Sequence, residues 1–160
     1  MSLDACLYAV KRDLPKEAGT DLGALCYDVT MREAATVNAL ANVGKGHAHL
    51  RLLVLFGSQA RGDARPGSDW DLGYLAGAGF DPDALLLDLV SRLGTDRVDL
   101  VDLARAGGQL RFRAAAEGRV LHESPTGGFE KFWLEAVHFW CDAGTLIRDG
   151  YAHVLARLRQ

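Results

Sequence analysis

The stretch LFGSQARGDARPGSDWDLGYL, residues 55–75, joins a Gly-Ser turn to a strand that contains two carboxylates. Side chains two positions apart in a strand share one face, so Asp69 and Asp71 are expected to project side by side. Two adjacent carboxylates repel each other unless a cation lies between them. Oxygen ligands of this kind suit Mg²⁺, which completes its coordination shell with water and substrate phosphates. The pair therefore predicts a metal site that receives a nucleotide.

The Gly-Ser turn before the aspartates is predicted to bind phosphate. Gly57 permits an abrupt turn at the end of a strand, and Ser58 begins a short helical segment, SQAR. Free backbone N–H groups, the serine hydroxyl and the local dipole all favour phosphate oxygens. Arg61 is a candidate to contact a β- or γ-phosphate, although a solvated loop arginine is the alternative. Ser68 could bond a ligand carboxylate or serve only the turn.

A third carboxylate is expected from a later strand, within the run RVDLVDL. Asp99 and Asp102 are the two candidates, and they lie three residues apart, on opposite faces of a strand. We favour Asp99, because a charge in mid-strand is costly unless it has a function. Asp102 lies nearer the end of the strand and remains the alternative.

Strand patterns alternate with helix patterns along the chain, which predicts an α/β (α+β) domain with a small sheet. Strands are expected at 50–56, 70–75, 97–103 and 119–122. Helices are expected at 30–44, 83–93, 109–117 and 129–158. A weaker helical pattern covers 4–13, whereas 20–29 fits either a helix or a strand.

Length and composition limit the classes of protein to consider. The 160 residues suffice for one domain, and a formal charge of −3 gives no general attraction to nucleic acid, so direct nucleic-acid binding is not expected. The longest apolar run falls far short of the ~20 residues that span a bilayer, so we expect no membrane span. Three widely spaced cysteines (Cys6, Cys26 and Cys141), without a CxxC motif, favour reduced thiols and a cytoplasmic location.

The order of Gly-Ser, ten residues and Asp-x-Asp resembles the signature of the DNA polymerase β-like nucleotidyltransferases, in particular the minimal nucleotidyltransferases. Two later segments, DRVDLVDLARAGGQLRFRAAAEGRVLHE and FEKFWLEAVHFWCDAGTLIRDG, resemble the downstream parts of MntA-type antitoxins. These antitoxins are adenylyltransferase partners of HEPN-domain toxins. The resemblance covers roughly residues 30–158.

The resemblance implies a polymerase β-like core, a small mixed sheet with helices packed on one face, and a C-terminal helical segment. It implies that two Mg²⁺ ions and ATP meet at the site, and that the adenylyl group passes to a HEPN-type toxin. The catalytic and metal-binding residues would be Asp69, Asp71 and Asp99. The nucleotide-binding residues would be Gly57, Ser58, Arg61 and Ser68.

We expect residues 30–125 to form the nucleotidyltransferase core and 126–160 to form a helical segment packed on it, in a single domain. Residues 1–29 form an N-terminal extension that is longer than the minimal members need, and its role is open. Two other functions remain possible. One is an enzyme with a small hydroxylated acceptor, such as an aminoglycoside; the other is a non-catalytic antitoxin that covers its toxin.

Overall fold

The computed structural model describes residues 25–158, with side chains described for 35–143 and for Arg157. Its strands are β1 (Leu50–Phe56), β2 (Trp70–Ala76), β3 (Val98–Asp102) and β4 (Arg119–Glu123). Its helices are α1 (Leu25–Gly46), α2 (Gly57–Arg61), α3 (Pro82–Leu93), α4 (Gly108–Glu117) and α5 (Gly128–Leu158). The weak helical pattern at 4–13 falls outside the described residues.

The four strands form one mixed sheet in the order β3-β2-β1-β4. Strand β1 lies antiparallel to β2 and to β4, whereas β2 and β3 run parallel. Each predicted strand is present with its ends within one residue of the expected position, which confirms the α/β class. Helix α1 begins at Leu25, so the last five residues of the ambiguous segment 20–29 are helical.

Local signals explain where the elements near the sheet begin and end. Helix α3 begins after Asp81, whose side chain accepts hydrogen bonds from the backbone N–H groups of Asp83 and Ala84, both at 3.1 Å. It ends at Gly94, which adopts the left-handed conformation that commonly terminates helices. The short helix α2 ends in the same way at Gly62.

Helices cover both faces of the sheet, whereas the sequence predicted helices on one face. One apolar cluster joins α1 and α3 to the face that contains Leu53 and Leu72. A second cluster joins α4 and α5 to the opposite face of β1, around Leu52, Val54 and Phe132. The reason is that six of the seven residues of β1 are buried, so both faces of this strand require apolar cover.

The structure also bears on two other predictions, the state of the cysteines and the absence of a membrane span. Cys141 is disulfide-bonded, so the prediction of reduced thiols is wrong for this cysteine. Among the described helices, none combines the length and the apolar character that a membrane span requires. The proposed division at residues 29 and 125 stays a prediction.

Candidate active site

The register between β2 and β3 determines which aspartates lie together. Asp71 pairs with Asp99, and because paired residues of adjacent parallel strands project from the same face, their carboxylates lie side by side. Asp69 lies two residues before Asp71 and precedes the start of β2. Asp102 pairs instead with Tyr74, three residues beyond Asp71 and therefore on the other face. The structure thus brings Asp99, and not Asp102, to the aspartate pair.

The three carboxylates differ in their exposure to solvent. Asp71 is half-buried, whereas Asp69 and Asp99 are exposed and line a cleft of about 530 Å³ together with Asp96, Arg97 and Val98. Contrary to the prediction, Asp99 bears no burial cost in mid-strand, because β3 is an edge strand and the Asp99 carboxylate reaches solvent. Its placement follows from the strand register.

Two features require glycine at position 57: its backbone conformation and its close approach to Asp71. Its φ of +72° lies in the left-handed region, and a Cβ atom at this position would lie well inside van der Waals contact of Asp71 Oδ2. Phe56, immediately before it, pairs with Asp71 across the β1–β2 ladder. The turn that begins α2 therefore lies directly against the carboxylate of Asp71.

Electrostatics at Asp71 favour a cation. Burial raises the pKa of Asp71, and the charges of Asp99 and Asp69 raise the pKa further, while the guanidiniums of Arg113 and Arg61 lower it. The described part of the chain holds no group of three Asp, Glu, His or Cys side chains already gathered for a metal. The donor set nevertheless fits Mg²⁺, because it offers only oxygens and its carboxylates repel one another until a cation neutralises them.

Arg61 is engaged by two carboxylates. Its Nη1 lies 2.6 Å from Glu117 Oε2, while its Nε and Nη2 each lie 3.2 Å from an oxygen of Asp63. Asp63, the largest of several influences, raises the pKa of Arg61 through its hydrogen bond, so the side chain stays charged. The sequence predicted that Arg61 contacts phosphate. In the structure, the guanidinium lies between two carboxylates, and its charge lowers the pKa of Asp71.

Ser58 lies in α2, and Ser68 lies in the loop between α2 and β2. Ser58 is half-buried in the first turn of α2, and its carbonyl accepts hydrogen bonds from Gly62 and Asp63. The hydroxyl of Ser68 accepts a hydrogen bond from the backbone N–H of Arg65 at 2.9 Å. This is the turn-forming interaction that was the alternative to a ligand contact for Ser68.

Three charged residues near the site were not predicted from the sequence. Arg97 donates a hydrogen bond to the carbonyl of Gly67 and so ties β3 to the loop before Asp69. Arg113 and Glu117 lie one turn apart on α4 and form an ion pair at 3.8 Å. Their spacing of four residues was visible in the sequence, but the same spacing occurs on many solvated helix faces. Only the packing of α4 against α2 brings Glu117 to Arg61.

Comparisons with known proteins agree with this geometry. A family model for polymerase beta nucleotidyltransferases matches residues 38–126. The protein adenylyltransferase MntA of Aphanizomenon flos-aquae (strain 2012/KM1/D3) is 31% identical, in an alignment that covers 52% of this chain and 64% of that protein. The chain therefore spans slightly less than two thirds of this curated relative.

Solved structures show the same fold. A chain of a toxin–antitoxin crystal structure with AMP-PNP superposes with a TM-score of 0.57 at 27% identity, covering 72% of this chain and 98% of that chain. A complex of a tri-AMPylated Shewanella oneidensis HEPN toxin with its MNT antitoxin contains a chain with a TM-score of 0.54 at 25% identity, covering 74% and 98%. The resemblance inferred from the sequence is confirmed. Because the family model matches more than half of the chain, the chain belongs to the polymerase beta nucleotidyltransferase family.

Proposed function

We propose that this protein is a Mg²⁺-dependent adenylyltransferase that transfers AMP from ATP to a hydroxyl group on a partner protein. The observation that supports this most strongly is the register pairing of Asp71 with Asp99 beside the Gly57 turn. Carboxylates of one face thereby adjoin a turn suited to phosphate. The relatives point to the same chemistry, since one is a protein adenylyltransferase and another structure holds AMP-PNP.

In the proposed mechanism, Asp69, Asp71 and Asp99 would hold two Mg²⁺ ions. Bound Mg²⁺ would neutralise charge on the phosphates and activate the attacking oxygen. Gly57 and Ser58 would bind phosphate oxygens through the backbone and the hydroxyl, with Arg61 beside them. The hydrogen bond that Ser68 accepts would fix the loop before the first metal-binding aspartate.

The transfer step forms one bond and breaks one. The acceptor hydroxyl oxygen bonds to the α-phosphorus of ATP, and the bond from that phosphorus to the bridging oxygen of the β-phosphate breaks. Pyrophosphate leaves with the bonding electron pair. Asp99, which is exposed at the edge strand, accepts the proton of the hydroxyl.

We propose a HEPN-type toxin as the acceptor and the cytoplasm, where ATP is available, as the location. The cleft beside Asp69 and Asp99 is open, which suits a side chain offered by another protein. One similar chain is bound to an AMPylated HEPN toxin. An adenylyl group adds a negative charge and a bulky base, which would block a surface that must approach RNA phosphates.

The test is the intact mass of a co-encoded HEPN-type protein after incubation with this protein, ATP and Mg²⁺. We expect the mass to rise by whole adenylyl groups, and to stay unchanged with the double variant Asp69→Asn/Asp71→Asn. Loss of both charges should reduce transfer by at least about 100-fold, because the metal is lost with them. Full protection of cells by the double variant would instead support a covering antitoxin. Efficient adenylylation of an aminoglycoside would support a small-molecule acceptor.

A further inference from the structure

The carboxylate of Glu117 bridges two arginines on the side of the molecule that faces Asp71. Its Oε2 lies 2.6 Å from Arg61 Nη1, and its Oε1 lies 3.8 Å from Arg113 Nε. The Glu117 side chain is only 25% exposed, and the Arg61 side chain 31%, so this contact is better shielded than a typical surface ion pair. We call these three residues the Glu117 bridge.

The Glu117 bridge fixes the orientation of Arg61 from a second direction. Asp63 binds the edge formed by Nε and Nη2, and Glu117 binds Nη1. A guanidinium has five N–H donors, so these three contacts leave one donor free on each Nη nitrogen. Asp63 lies in the loop after α2 and its side chain is 60% exposed, whereas Glu117 belongs to α4, which packs on the core. Glu117 is therefore the more rigid of the two partners.

Arg113 lies on the same side. Its Nε lies 3.8 Å from Glu117 Oε1, and the other oxygen of that carboxylate contacts Arg61, so one carboxylate holds both guanidiniums. Arg113 keeps both Nη groups free of Glu117, because the ion pair uses its Nε. One carboxylate thus holds two guanidiniums beside α2, the helix that begins at the Gly57 turn to which we assign the nucleotide.

We infer that Glu117 is a positioning residue that holds Arg61 and Arg113 so that their free N–H donors bind the β- and γ-phosphates of ATP. This inference rests on the proposed function and adds to it the residues that bind the β- and γ-phosphates. Paired arginines suit this task, since a guanidinium binds phosphate through two parallel hydrogen bonds. Glu117 itself does not touch the nucleotide in this arrangement.

The substitution that tests the inference is Glu117→Gln, which keeps the shape of the side chain and removes its charge. We expect the Kd and the KM for MgATP to rise about tenfold, the size of one lost charged hydrogen bond. The kcat of transfer should change by less than about twofold, because the outer phosphates are held equally before and during transfer. Arg113→Gln should raise the same two constants.

The matched control is Glu135→Gln. Glu135 pairs at 3.5 Å with Arg111, another arginine of α4. The variant therefore loses an ion pair between α4 and α5 that lies away from the carboxylates. We expect this variant to bind MgATP like the unmodified protein. The double variant Arg113→Gln/Glu117→Gln should bind MgATP about as weakly as Glu117→Gln alone, because that single change already releases Arg113.

The inference is overturned if Glu117→Gln binds MgATP as tightly as Glu135→Gln, or if the two single effects add fully in the double variant. Equal thermal unfolding of Glu117→Gln and Glu135→Gln would show that the comparison is free of folding effects. If Glu117→Gln does not fold, Arg113→Gln alone tests the inference, and an unchanged Kd of Arg113→Gln for MgATP would overturn it. Absence of transfer by an unmodified protein that still binds MgATP would overturn the proposed function instead, and the Kd values would still test the bridge.

Discussion

The two faces of the β2–β3 strand pair are formed by alternate residues of the same two strands, and they have different roles. On one face, Trp70, Leu72 and Leu100 pack with α1 and α3 in an apolar cluster. On the other, Asp71 and Asp99 lie side by side, and Asp99 reaches solvent. Alternation along each strand separates the two sets by a single residue. Packing of the apolar face fixes the register between β2 and β3. That register determines which carboxylates lie together on the opposite face.

This division predicts that substitutions on the two faces fail differently. A change on the apolar face should cost stability and take function with it. A change on the carboxylate face should remove function and leave the fold intact, or even make it more stable. The following predictions test that difference, beginning with the largest expected effect.

Leu72→Ala should lower the free energy of unfolding by about 3 kcal/mol, because Leu72 is fully buried in the apolar cluster next to Asp71. Urea denaturation measures this change. The control is Leu87→Ala on α3, where the side chain is 70% exposed and the expected change is under about 0.5 kcal/mol. Equal effects of the two substitutions would contradict the burial assigned to this face.

Gly57→Ala should reduce transfer about 100-fold, because the new Cβ displaces the carboxylate of Asp71 and so disturbs the metal site. The control is Gly62→Ala. Gly62 has a similar φ of +78°, but a Cβ there meets no atom within 4 Å, so the variant shares the backbone strain without the contact. Initial rates of AMP transfer compare the two. If Gly62→Ala loses as much activity, the contact with Asp71 has no special importance.

Asp71→Asn should make the metal-free protein slightly more stable at neutral pH. Burial first, and then the neighbouring aspartates, raise the pKa of Asp71 in the folded state. Its contribution to stability is therefore complete below the ordinary carboxyl pKa and is lost as the pH rises through the raised value. Thermal unfolding in EDTA should show the variant above the unmodified protein at pH 7, with the gap closing as the pH falls below the ordinary carboxyl pKa.

The control for this pH dependence is Asp96→Asn, at an exposed position of the same cleft. We expect it to leave the unfolding curve close to that of the unmodified protein at each pH. A stability gap for Asp71→Asn that widens toward acid would contradict the assigned direction of the pKa.

Much of this arrangement could be predicted from the sequence. The positions of the strands follow from apolar runs bounded by Gly and Pro turns, and the spacing of the Gly57–Asp71 segment indicates the candidate site. Burial does not explain the role expected of Asp99, which is exposed, whereas its register with Asp71 does.

What the sequence did not predict depends on contacts between distant parts of the chain. Arg61 and Glu117 are 56 positions apart, and no local pattern links them. The cover of the second face by α4 and α5 likewise depends on how both helices pack against β1. Periodicity predicts that a helix has an apolar face, but it does not say which side of the sheet that face meets.

The most direct test of the account compares Asp99→Asn with Asp102→Asn in AMP transfer at saturating ATP. Both substitutions remove one carboxylate from β3, but Asp99 pairs with Asp71 while Asp102 pairs with Tyr74 on the other face. Asp102 instead accepts a hydrogen bond from the N–H of Ala104 at 2.9 Å, so its loss should affect the turn after β3. The account predicts at least about 100-fold slower transfer for Asp99→Asn and less than about threefold for Asp102→Asn. An active Asp99→Asn beside an inactive Asp102→Asn would contradict it.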